Sequence, residues 1–132
     1  MKKQLDSLKR IDRVQRQLRE LAVWRLASLA RRLDASTQDH GEIVDAIGRD
    51  TAPYGPLGAA LTRALRVAEQ RVEISARDHL AQSKAALDAA SRANLAERAM
   101  TGAGTRYKAQ RERRELADLV EQSLSALKAR FG

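Results

Sequence analysis

Cysteine is absent from this chain, and aromatic residues make up only 3% of it. The first absence excludes disulfides and thiolate metal sites and is compatible with a reducing cytoplasm. The second leaves few rings for stacking on nucleic-acid bases and little bulk for a compact enzyme core. Proline occurs only at Pro53 and Pro56, so neither flank carries one that would stop a helix. No stretch approaches the roughly 20 consecutive apolar residues of a membrane span. Met1, Lys2 and Lys3 are followed by Gln4, Asp6, Lys9 and Arg10, where a signal peptide needs an apolar run, and none is expected. The reading is a soluble, cytoplasmic chain.

What the chain does have is charge and alanine. Charged residues form 32% of the 132 residues, and alanine supplies much of the 43% apolar share. That is the composition of long helices rather than of a globule, and the length is that of one domain. The net charge of +8 is unevenly spread, with ten Lys/Arg against three acids in residues 1–33 and one against five in residues 34–60. The stretch Thr51, Ala52, Pro53, Tyr54, Gly55, Pro56, Leu57 reads as a turn. The expected fold is all-α: an antiparallel two-helix coiled-coil hairpin in a single domain spanning 1–132, with a helix over about 5–50, a turn at 51–57 and a longer helix over about 58–130. In such a hairpin the end that holds both termini is strongly basic.

The first helix shows an apolar series Ile11, Val14, Leu18, Ala22, Leu26, Leu29, Leu33, Ser36, His40, Ile43, Ile47. Its steps of three and four make a heptad seam with an inserted four-residue step near Leu18–Leu26, read as a stutter. Leu21 and Trp24 widen the stripe, and the helix is roughly 65 Å long at 1.5 Å per residue. Asp34 to Gly41 favours caps and turns, but the seam keeps its phase across it, so a continuous helix is expected. In the second helix Leu57, Leu61, Leu65, Ala68 and Val72 set the seam, continued by Ala76, Leu80, Leu87 and Leu95. A turn at Tyr54 or Gly55 pairs residue i with about 110 − i, which sets Leu18, Leu21, Trp24, Leu26 and Leu29 opposite the alanines between Ala81 and Ala99.

Gly102 and Gly104 together cost about 2 kcal/mol of helix propensity, enough to bend or break an exposed helix there, and the sequence leaves open whether it does. By the pairing rule everything after about Ala109 lacks a partner in the first helix. That remainder carries an apolar stripe of Leu116, Val120, Leu124, Leu127 and Phe131. It folds back, extends the helix, or docks on another chain. An uncovered stripe beside basic residues is the strongest binding-site signal in the sequence.

The run Arg111, Glu112, Arg113, Arg114, Glu115 reads first as a solvated helix face with local ion pairs. The sharper reading is an electrostatic docking face, together with Arg10, Arg13, Arg16 and Arg19. Nucleic-acid binding through the same cations is the alternative use, although acids interrupt the runs. A self-assembling structural coiled coil, covering its seam as a homodimer, is a third. His40 and His79 read as polar seam residues rather than metal ligands, and Trp24 as core filler rather than a partner hot spot. Tyr107 and Phe131 go with the unpaired segment. No catalytic site, metal or cofactor is expected.

Taken whole, the pattern resembles the FliJ/YscO family of flagellar and type III secretion export proteins. The resemblance rests on small size, the basic start Lys9, Arg10, Ile11, Asp12, Arg13, Val14, the two long helices, and the Arg/Glu-rich stretch from Tyr107 to Leu116. It implies a stalk-like coiled coil similar to the rotary ATP synthase central stalk. Such a protein is expected to engage the export ATPase ring and the export gate, to assist export chaperones with their substrates, and to reach the inner membrane's cytoplasmic face only through those partners.

Overall fold

The computed structural model describes residues 1–49 and 56–131, which form two helices, α1 (Lys2–Arg49) and α2 (Pro56–Phe131), in an all-α helical hairpin. The expected turn residues Thr51 to Gly55, Pro53 and Tyr54 among them, lie outside the described residues. Pro56 opens α2, where its fixed φ suits the first helical turn and its missing N–H removes a donor that would be unpaired anyway. The helix thus starts about two residues before the expected boundary. Arg49 in the last turn of α1, and Lys128 and Arg130 in that of α2, complement the negative end of each helix dipole.

Both helices run unbroken through their weakest sequences. In the stretch from Asp34 to Gly41, the Ser36 and Thr37 hydroxyls donate to the carbonyls of Arg32 and Leu33 at 2.9 Å, four residues back. This consumes their hydrogen-bonding capacity without opening the helix. The interruption that the sequence leaves open at Gly102 and Gly104 does not occur. Both glycines are helical and half-buried, and neither has positive φ. Packing against α1 offsets their poor propensity: a Cβ on Gly104 would lie 3.9 Å from Leu5 Cδ1, within ordinary contact.

The packing divides into two compact units, one of Met1–Arg16 with Arg92–Gly132, the other of Gln17–Ser91. In the Gln17–Ser91 unit the two helix segments are antiparallel. The Ser36 and Ser75 hydroxyls lie 3.1 Å apart, Gln82 Nε2 donates to the Ala22 carbonyl at 3.1 Å, and His40 Nε2 faces Glu69 Oε1 at 4.0 Å. Because Ser36 gives its proton to Arg32, Ser75 is the donor to Ser36. Ser36–Ser75 and His40–Glu69 fall within one residue of the expected pairing, and Gln82 reaches Ala22 from six residues short of it. The inward series runs through Ala22, Leu26, Leu29, Leu33, Ser36, His40, Ile43 and Ile47 against Gly58, Leu61, Leu65, Ala68, Val72, Ser75, His79, Gln82, Ala86 and Ala89, all half-buried or buried, with Ser28, Ala30, Gly41, Ala46, Ala64, Ser83 and Ala90 half-buried beside it.

In the other unit, the positions of α1 that are not exposed are Leu5, Leu8, Asp12 and Gln15; α2 answers with Ala93, Ala96, Met100, Ala103 and Tyr107, as well as the two glycines. This overturns the expected seam at its start. Ile11, Val14 and Leu18 are all exposed, close to half in each case. There is no stutter: stepping back from Leu26 by strict alternation of four and three gives 22, 19, 15, 12, 8 and 5. The inward positions fall on that series, and only Arg19 among them is exposed. The apolar series 11, 14, 18, 21 lies one residue away and faces out. On α2 the same alternation carries the seam through Ser75, His79 and Gln82, so the expected Ala76, Leu80, Leu87 and Leu95 are exposed, as is Leu57.

The core is accordingly thin. Its buried apolar residues are Leu5, Ala22, Ala68, Ala93 and Ala96, and among the described residues no large side chain is fully buried. Alanine opposite alanine lets backbones approach closely but contributes only about 0.8 kcal/mol per buried methyl-sized group. Asp12 adds a cost. It is 4% exposed, one carboxylate oxygen meets Arg16 Nη2 at 3.2 Å, and the other, Oδ1, is buried with no hydrogen-bond partner.

Two outcomes follow in thermal melts followed by circular dichroism. Asp12→Leu should raise stability by about 1 kcal/mol or more, since it removes a half-paired buried charge and leaves Arg16 in solvent. Gly41→Ala meets nothing within 4 Å and Gly104→Ala meets only Leu5, so each should stabilise by about 1 kcal/mol; loss of stability in Gly104→Ala would show that the helices need that glycine's close approach.

Candidate partner-binding surface

Within the unit formed by Met1–Arg16 and Arg92–Gly132, α1 supplies no residue beyond its first turn to cover the far part of α2. Leu5 N–H already closes the first α1 turn onto the Met1 carbonyl at 3.0 Å. Tyr107 is the last half-buried residue, and every residue from Lys108 to Phe131 is exposed while remaining helical. The expected unpaired segment therefore exists, and it extends the helix rather than folding back. Leu116, Leu119, Val120, Leu124, Leu127 and Phe131 are its exposed apolar residues, Phe131 at 82%.

This stripe continues the inward-facing series only in part. Carried past Tyr107, the alternation that faces α1 falls on Gln110, Arg114, Ala117, Glu121, Leu124, Lys128 and Phe131, four polar residues among seven. The apolar residues follow Ala117, Val120, Leu124, Leu127, Phe131, which keeps Ala117, Leu124 and Phe131 and takes Val120 and Leu127 in place of their neighbours Glu121 and Lys128. The helix thus presents a second face there, suited to something other than a longer α1. Glu121, Leu124, Ser125, Leu127, Lys128 and Phe131 line a shallow groove of about 900 Å³ on it.

Of the cations named from sequence, Arg19 is exposed in the Gln17–Ser91 unit, and the others fall in the unit of Met1–Arg16 with Arg92–Gly132 but in different settings. Arg10 and Arg13 are exposed on α1 beside the outward Ile11 and Val14, and Arg16 is tied to Asp12. On α2, Arg111 Nε meets Glu115 Oε1 at 3.4 Å, an exposed pair of the kind worth a few tenths of a kcal/mol. Arg113 and Arg114 are exposed. Tyr107 is half-buried, at the last position of the inward series that is not exposed. A second groove, of about 430 Å³, is lined by Met1, Lys3, Gln4, Ser7, Leu8, Ala103 and Arg106.

In the Gln17–Ser91 unit the sequence reading missed one exposed feature. Trp24 is 64% exposed, with Leu18, Leu21 and Val23 also outward, so it is not core filler. The signal was available: Trp24 sits two residues after Ala22, off the series that leads to Leu26. His40 and His79 are half-buried seam residues. No group of three or more His, Asp or Glu among the described residues is placed to hold a metal ion, and no helix is long and apolar enough to cross a membrane. No family model, curated protein or solved structure matches the chain.

Trp24 is the chain's one tryptophan and reports directly on this arrangement. Its fluorescence emission should lie at the red, water-exposed end and be quenched by acrylamide almost as readily as free indole. A blue-shifted, protected emission would return Trp24 to a packed seam.

Proposed function

We propose that this chain is a non-catalytic adaptor, a stalk-like coiled coil that docks proteins of a flagellar or type III export apparatus. The observation that carries the reading is the α2 segment from Lys108 to Phe131, which is helical yet bare, with an apolar stripe beside a cluster of arginines. Helix stability in proteins comes mostly from packing of an apolar face, and large apolar stripes are normally covered, so a binding face is the natural use of it. The resemblance to the FliJ/YscO family directs the choice of partner. The export ATPase ring is the partner for the basic residues Arg10, Arg13, Arg16, Arg111, Arg113 and Arg114 and for the stripe Leu116, Val120, Leu124, Leu127, Phe131. The export gate and chaperone–substrate complexes are the further partners, and they hold the chain at the cytoplasmic face of the inner membrane.

The test is capture of the purified export ATPase by Leu116→Asp/Leu124→Asp. Both positions are exposed, so the circular dichroism spectrum should keep its helical form. ATPase binding should weaken by about tenfold or more, because two charges then enter an apolar contact. Undiminished binding by the double variant removes the stripe from the docking site, and no binding by the unaltered chain removes the export reading itself.

A further inference from the structure

The charges along the bare segment carry more than the presence of a docking face. With Val120, Leu124, Leu127 and Phe131 as the contact series, Glu121 and Lys128 are one heptad apart and occupy the same edge of the stripe. Both line the groove with Leu124, Leu127 and Phe131. The opposite edge holds Ser123 and Arg130. One edge therefore bears an acid and a base separated by two helical turns, which is a self-complementary pattern.

We infer that a second copy of this chain covers the segment, its Val120–Phe131 stretch lying antiparallel on the first so that Glu121 of each copy faces Lys128 of the other. In an antiparallel two-stranded coil like edges face one another. Val120 then packs against Phe131 of the second copy, Leu124 against Leu127, and the two-fold repeats both layers. The Glu121–Lys128 pair forms twice. A parallel pair would bring Glu121 to Leu116 and Lys128 to Ser123, with no opposite charges matched. A slip of one heptad in the antiparallel pair sets Glu121 against Glu121 or Lys128 against Lys128. Charge thus selects both direction and register, in the manner of edge residues that decide coiled-coil pairing. The overlap is short, so the dimer is weak and concentration-dependent. Its apolar stripe is the one offered to the export partner, and partner binding displaces the second copy. The inference does not rest on that partner's identity.

Sedimentation equilibrium on the purified full chain, from about 10 μM to about 1 mM, tests it without any partner. The unaltered chain should show a reversible monomer–dimer equilibrium. Glu121→Lys and Lys128→Glu should each weaken it about tenfold, since two attractive pairs become two repulsive ones. The double variant Glu121→Lys/Lys128→Glu should restore it, as should an equimolar mixture of the two single variants. Net charge rises in one single variant and falls in the other, so a general charge effect would move them in opposite directions. A chain that stays monomeric throughout, a dimer indifferent to both reversals, or a double variant that fails to recover overturns the inference. Failure of ATPase capture would leave it untouched.

Discussion

A pair of helices packed along one line can bury only one face of each, and that face is set by the alternation of three- and four-residue steps, not by the polarity of each side chain in turn. Once Leu26, Leu29 and Leu33 face inward with Leu61, Leu65 and Val72, the alternation dictates every other inward position on the same helices. It brings in Asp12, Ser75, His79 and Gln82, and it turns out Ile11, Trp24, Leu80 and Leu87. A local shift that brought Ile11 inside would require underwinding or a stutter in a stretch that instead stays regular. The energy of regular packing over many turns outweighs the misplacement of a few side chains.

The polar intruders are accommodated in different ways. Ser75 and Ser36 satisfy each other across the helices, and Gln82 reaches a backbone carbonyl, so both sites replace hydration with a hydrogen bond. Asp12 is only half satisfied by Arg16. The remaining inward surface is mostly alanine, which gives closeness without much burial. Such a seam depends on the helices being individually good. High alanine content and local pairs such as Arg77–Glu73 at 2.6 Å and Arg111–Glu115 at 3.4 Å contribute to that in small increments.

The hairpin, its register and the bare end of α2 were legible because each rests on counting. Two prolines three residues apart mark the change from one helix to the next, near-equal distances from them place the partners, and the far part of α2 has no α1 residue beside it. Continuity through Ser36 and Thr37 was legible from the phase of the seam. The inward face near the start of α1 was not, because two heptad series one residue apart compete there and the apolar one loses. Following hydrophobicity residue by residue leads to Ile11, Val14 and Leu18; following the alternation back from Leu26 leads to Leu5, Leu8 and Asp12. The same preference for bulk over phase made Trp24, Leu80, Leu87 and Leu95 look internal. The interruption left open at Gly102 and Gly104 is absent for another reason. Propensity counts only the missing side chains, whereas both glycines are half-buried in a helix that continues on either side, and neither has positive φ.

The displaced apolar series beyond Tyr107 follows from the same constraint. On the inward phase Arg114, Glu121 and Lys128 alternate with Ala117, Leu124 and Phe131, so a longer α1 would meet a charged residue at every second position, and the ridge turns by one residue to avoid them. The sequence there is written for a helix that approaches from a different side and sees Val120, Leu124, Leu127 and Phe131 as a continuous ridge. A protein partner and a second copy both meet that requirement of shape. Only an antiparallel copy also meets Glu121 with a base and Lys128 with an acid without any new sequence being supplied. A ridge closed by a second copy stays covered until a better-matched surface competes for it, and the weak alanine seam behind it gives no reason for the end to fold away instead.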